Sequence, residues 1–195
     1  MLRYHRFEHL DGMDSTPLTV EDELIRQLAQ TINSSVPFFV PCAAQLGCRP
    51  SECFKNVSYL VASRGGNQVF GWAIWQTRGF YVRAENHAIW QMPDGKFLDP
   101  TPQNPPREKI LFLRDDDALP KTDNLANMSR YVYDPINRRN KKLVELFKSH
   151  ERLNNDYRTG KVKISKDYFN RANKENDLEV NKLMRRIWEE NNSKI

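Results

Sequence analysis

Cysteine is scarce in this chain: three occur in 195 residues, Cys42, Cys48 and Cys53, all within one short stretch. An odd number this small excludes the disulfide framework of a secreted domain, and reduced thiols are expected. Long apolar runs are missing as well. No stretch approaches the roughly 18 apolar residues of a membrane span, and the opening MLRYHRFEHLDGMDS has no apolar segment between a basic head and a small-residue cleavage site. A soluble, cytoplasmic protein with no membrane partner is the expectation. Glycine is sparse, and SRGGNQ has too few in the wrong order for a phosphate-binding loop, which removes the main signal for a nucleotide cofactor. The four histidines, His5, His9, His87 and His150, are scattered, and Cys42 and Cys48 have no second ligand pair at zinc-site spacing. Neither a metal nor any other cofactor is expected, and no repeat or low-complexity segment appears.

What is present suits a folded domain: 39% apolar residues, 11% aromatic and 28% charged. The net charge of +5 is unevenly spread. Residues 1–117 carry 12 Lys and Arg against 14 Asp and Glu, and residues 118–195 carry 18 against 11, so the balance runs from −2 to +7. This divides the chain into a core over 1–117 and a basic helical extension over 118–195, packed on the core.

Periodicity sets the elements. Leu24, Ile25, Leu28 and Ile32 recur at helical spacing behind Thr19 and two acids, predicting a helix from about 20 to 33. SSVPFFVPCAAQLGCRP is Pro-rich and reads mostly as extended loop. SECFKNVSYLVASRGG predicts a second helix, with Ser51 placed to cap it, Cys53 in its first turn and Gly65-Gly66 ending it. Aromatic and β-branched residues then predict strands in QVFGWAIWQ, GFYVRAENHAIWQ and KFLDPTP, the last two joined by the Pro93-Asp94-Gly95 turn. A short strand follows over Ile110 to Leu113, and RRNKKLVELFKSHERL and NDLEVNKLMRRIWEE are amphipathic helices. The class is α+β: an antiparallel sheet with N-terminal helices and a helical, basic C-terminal part.

Of the three thiols, Cys53 alone sits at a helix start, where free backbone N–H groups and the positive end of the dipole favour a thiolate and offer donors to an oxyanion. His87 supplies the matching base, and Asp99 a group to orient its second nitrogen. With a hairpin loop of three or five residues His87 and Asp99 share a sheet face; with two or four they oppose. Each residue alone has a bland reading: a packed cysteine, a satisfied strand histidine, a turn carboxylate before Pro100. Around them, Gln45 is a loose oxyanion candidate, and Asn56 either lines the site or caps a local contact. Glu85 shares the His87 face, to tune it or to bind substrate. Trp72, Trp75 and Trp90 are either aromatic walls of a substrate site or sheet core.

The order of the triple, a cysteine at a helix start, then His87-Ala88-Ile89-Trp90, Asp94-Gly95 and Asp99-Pro100-Thr101, resembles the core of the transglutaminase-like branch of the papain-type cysteine enzymes. The resemblance covers about residues 45 to 102. It implies a papain/transglutaminase-like core with Cys53 as nucleophile, His87 as base and Asp99 as orienter. The implied function is acyl transfer on amide bonds, by peptide hydrolysis, deamidation or transamidation, with a peptide or protein amide as substrate. Two other readings stand beside it. One is a binding module for nucleic acid or an acidic protein partner, using the basic C-terminal helices with INRRNKK and MRRIW; acids interspersed through both helices limit this to weak, salt-sensitive polyanion contact. The other is a non-catalytic relative of the same fold. The oligomeric state is left open.

Overall fold

The computed structural model describes residues 14–119 and 129–193; His5 and His9 lie outside them. Four helices and six strands are present: α1 (Glu23–Gln30), β1 (Phe38–Pro41), α2 (Cys53–Arg64), β2 (Asn67–Thr77), β3 (Tyr81–Gln91), β4 (Phe97–Leu98), β5 (Lys109–Arg114), β6 (Arg130–Tyr133), α3 (Asn140–Arg158) and α4 (Lys166–Asn192). The class is α+β. All strands pair antiparallel in one sheet of order β1-β5-β2-β3-β4, with β6 on the far end of β3.

The helix starts differ from the sequence reading. Asp22, not Thr19, caps α1, its carboxylate accepting from Leu24 N at 2.8 Å. Ser51 does not cap α2: its φ of 61° places it in the left-handed region, and Glu52 stands at the cap position without a side-chain hydrogen bond. The Pro-rich stretch expected to be loop contributes β1, because Phe38 and Val40 have a partner strand in β5.

The sheet curls until its edges meet. Cys42, just after β1, bridges Asp99, just after β4, with Asp99 N donating to Pro41 O at 2.9 Å and Ala43 N to Asp99 O at 3.0 Å. Period-two alternation then separates an inner from an outer face. Val40, Val69, Ala73, Trp75, Ile89, Ile110 and Phe112 cluster together without any helical residue, which marks the inside. Outside, Ile25 and Leu28 of α1 cover Trp72, Ile74, Val82 and Ala84, and Val57 and Leu60 of α2 cover Ala88 and Trp90.

Gly71 is a point of close approach between β2 and β5. It stands opposite His87 in the β2–β3 ladder, and a Cβ there would collide with the Leu113 carbonyl and the Phe112 ring. A side chain at this position would push β5 away from the stretch that carries the histidine.

α3 and α4 pack through Leu143, Val144, Phe147, Val180, Leu183, Met184 and Ile187 onto Phe80 and Tyr81, at the tip of the β2–β3 hairpin. Asn140 fixes the docking, its Nδ2 donating to Gly79 O at 2.9 Å and to Asp134 O at 2.7 Å. Trp188, at first sight part of the same apolar stripe, is 58% exposed. The stripe ends at Ile187, one residue before it. Among the described residues no helix is long and apolar enough to cross a membrane.

Candidate active site

Cys53 is the first residue of α2 and is half-buried. α2 begins there because the left-handed Ser51 and the uncapped Glu52 turn the chain out of the preceding loop. With no side-chain cap, the first-turn N–H groups of α2 are left to other acceptors.

His87 lies on the inner face of β3, 7% exposed. Along the outer edge of β3, β6 pairs with residues 81–84 and β4 with 90–91. The stretch containing His87 falls between those two ladders, and there α2 sets Cys53 near enough for its sulfur to bear on the imidazole's charge. The Nε2 of His87 is 3.2 Å from Asp99 Oδ2. Despite that distance the N–H is not aimed along the line of contact, and Nε2 is buried without a well-formed hydrogen bond. The contact is therefore mainly electrostatic. The register explains the shared face: Gln91 opposes Phe97, so the connecting loop spans residues 92–96, an odd number, and His87 and Asp99 point the same way.

Burial works against a charge on His87, but the Asp99 carboxylate and the Cys53 sulfur outweigh it and hold the imidazole pKa well above its ordinary value of 6.5. Asp99 is fully buried. Its Oδ1 accepts from Thr101 N at 3.0 Å, closing a local turn, and its Oδ2 accepts from Gln103 Nε2 at 2.7 Å.

The two other thiols have different surroundings. Cys42 Sγ lies 3.9 Å from Asp99 Oδ2, and burial together with that carboxylate pushes its pKa up to about 12. Burial also raises Cys48.

Several further residues singled out from the sequence stand elsewhere. Gln45 does not offer an amide N–H to Cys53: its Nε2 donates to Ala43 O at 3.0 Å and its Oε1 accepts from Arg64 at 2.9 Å, at the opposite end of α2. Asn56 is structural, gripping the backbone of Arg49 through Oδ1 and Nδ2 (2.9 and 2.7 Å) and reaching Thr101 Oγ1 at 3.1 Å. Trp72, Trp75 and Trp90 are core, each at most 6% exposed, with indole N–H groups donating to Asp115, Glu85 and Gly65 O. Glu85 shares the inner face with His87 but turns toward Trp75 and toward Arg83, 3.8 Å away.

Gln103 was not found by sequence reasoning. Its only signal was an amide four residues beyond a carboxylate, in a run whose prolines fold it back. Groups of three or more His, Cys, Asp or Glu able to hold a metal ion do not occur among the described residues. No family model, curated protein or solved structure matches this chain.

Proposed function

We propose that the chain is a cysteine-dependent acyl-transfer enzyme acting on amide bonds, with Cys53 as nucleophile, His87 as general base and acid, and Asp99 as orienter. The observation that carries this reading is a histidine whose Nε2 lies 3.2 Å from a fully buried carboxylate, with the half-exposed helix-start thiol of Cys53 near enough to raise its pKa. The resemblance of HAIW and DPT to the transglutaminase-like enzymes adds to it.

The chemistry follows from the arrangement. The thiol proton passes from Sγ to His87, and the sulfur bonds to the acyl carbon while the carbonyl π pair moves onto oxygen. First-turn N–H groups of α2 are the donors available to that oxyanion, a part Gln45 does not fill. Collapse breaks the C–N bond, and His87 returns the proton to the departing nitrogen. Water or an amine then attacks the thioester, gives its proton to His87, and releases the thiolate to take it back. Water makes the step hydrolysis or deamidation; an amine makes it transamidation.

The binding-module reading gains less. Basic side chains on α3 and α4 and at the start of α3 are tied to acids, Lys142 to Glu179 at 2.6 Å, Arg139 to Glu190 at 2.8 Å and Arg185 to Glu189 at 3.1 Å. Such pairing blunts attraction to a polyanion.

The test is alkylation by iodoacetamide at neutral pH, read peptide by peptide in a mass spectrometer. Cys53 should label at least about tenfold faster than Cys42 or Cys48, and His87→Ala should remove the advantage. Equal rates at the three thiols would end the proposal. A peptide digest offered with a fluorescent primary amine then separates hydrolysis from transamidation.

A further inference from the structure

Asp99 Oδ2 is contested. Gln103 Nε2 donates to it at 2.7 Å, His87 Nε2 faces it at 3.2 Å without alignment, and Cys42 Sγ stands at 3.9 Å. The other oxygen is already held by Thr101 N at 3.0 Å, and the residue has no exposure to solvent. A carboxylate oxygen has room for few well-directed donors, and the shortest contact takes the best direction. In this site that contact belongs to the amide and not to the imidazole.

The local sequence makes the capture. Asp99-Pro100-Thr101-Pro102-Gln103 has φ fixed at two positions, and the Asp99 carboxylate turns back onto Thr101 N. The chain then brings Gln103 over the same carboxylate, where its Nε2 also lies 3.4 Å from Thr101 O.

We infer that Gln103 is a positioning residue that competes with His87 for the buried Asp99 oxygen, keeping the imidazole loosely held and its proton transferable. This rests on the reading of Cys53, His87 and Asp99 as the reacting group. A histidine locked by an aligned, charge-assisted hydrogen bond holds its proton more tightly and gives it up less readily to a departing amine. Gln103 acts on that balance without touching the reacting atoms. The charged groups that bear on His87 are Asp99, from the end of β4, and Cys53, from α2; Glu85 is on its own strand, and Arg107 acts beside Cys42 at the far side of Asp99.

The experiment follows the His87 ring nitrogens by ¹⁵N NMR through a pH titration of the full chain, in the wild type, in Gln103→Met, which keeps length but has no donor, and in Gln103→Leu. In both variants His87 should close on the freed oxygen and its midpoint should rise by about half a pH unit or more, roughly threefold in proton affinity. His150 is the internal control: its signals should stay in place, which shows that the fold is kept. A midpoint unchanged or lowered, with His150 in place, overturns the inference; if Gln103→Met does not fold, Gln103→Leu decides by the same criterion. The pH profile of Cys53 alkylation in the same proteins separates the two readings. Should Cys53 react without regard to His87 titration, the catalytic reading fails while the Gln103 shift stands. Should Cys53 follow His87 and the midpoint stay fixed in the variants, only the role of Gln103 falls.

Discussion

His87 and His150 are equally buried, each 7% exposed, but the two regions that hold them use the imidazole differently. In the sheet, His87 lies 3.2 Å from a buried carboxylate, and the Cys53 thiol is among the groups that raise its pKa. In the helical pair, the Nδ1 of His150 lies 3.3 Å from the amide of Asn176, and its backbone oxygen accepts from Asn154. Burial alone therefore does not tell the two histidines apart. The first has a half-exposed thiol and a buried carboxylate bearing on its charge, and each can be removed in turn.

The largest expected effect comes from Asp99→Asn. Shape is kept while the charge that holds His87 protonated is lost, and the amide favours the wrong tautomer. Turnover on an amide substrate, or Cys53 alkylation in its absence, should fall by about 100-fold or more. A loss under about threefold in a folded variant would place Asp99 beside ordinary buried turn carboxylates.

Next in size is a cost confined to the other region. Phe147 is 2% exposed, with its ring edge-on to Tyr81 at 5.2 Å and stacked on Tyr131 at 5.8 Å. Phe147→Ala should destabilise by about 3–5 kcal/mol, read as a lower melting temperature. Below melting, Cys53 reactivity should be unchanged, because the helices dock at the hairpin tip and His87 lies further along β3. A parallel loss of reactivity would show that the two regions act as one.

The same contrast explains what the sequence made readable. The α2 stripe of Val57 and Leu60, the aromatic strands and the parity of His87 with Asp99 are local patterns, and local patterns survive folding. β1 and β6 were not read as strands, since FFVP sits among prolines and RYVY follows an acidic loop, and both are extended only because β5 and β3 provide ladders. The first half of α4, from Lys166, is too polar to announce itself; Ser165 starts it by accepting from Tyr168 N at 3.1 Å. Gln45 misled because closeness in the chain is not closeness in space. The tryptophans could be read either as core or as the walls of a cleft, because one composition serves both, and burial shows them to be core.

A smaller effect sharpens the electrostatic side of the comparison. The pKa of His87 is raised above 6.5 in the folded chain, so protonated His87 contributes stability that is fully present below about pH 6.5 and is lost as pH rises through the folded value. Melting temperature should fall across that window in the wild type and more shallowly in His87→Gln, which carries no such proton. Identical slopes would mean that the Asp99 and Cys53 partners do not favour the charged ring.

The smallest effect tests where the helical region ends. Ile187 is fully buried against Phe80 and Tyr81, while its neighbour Trp188 is 58% exposed, because successive helix positions turn about 100° and only one of the two can face the core. An exposed aromatic contributes little to the folded chain, and Trp188→Ser should change stability by no more than about 0.5 kcal/mol. Its fluorescence should report water contact, with ready quenching by iodide. A loss as large as that of Phe147→Ala, together with a quenching-resistant signal, would mean that another surface covers this face in solution, and the contrast between the two regions would then have to be drawn for the assembled protein.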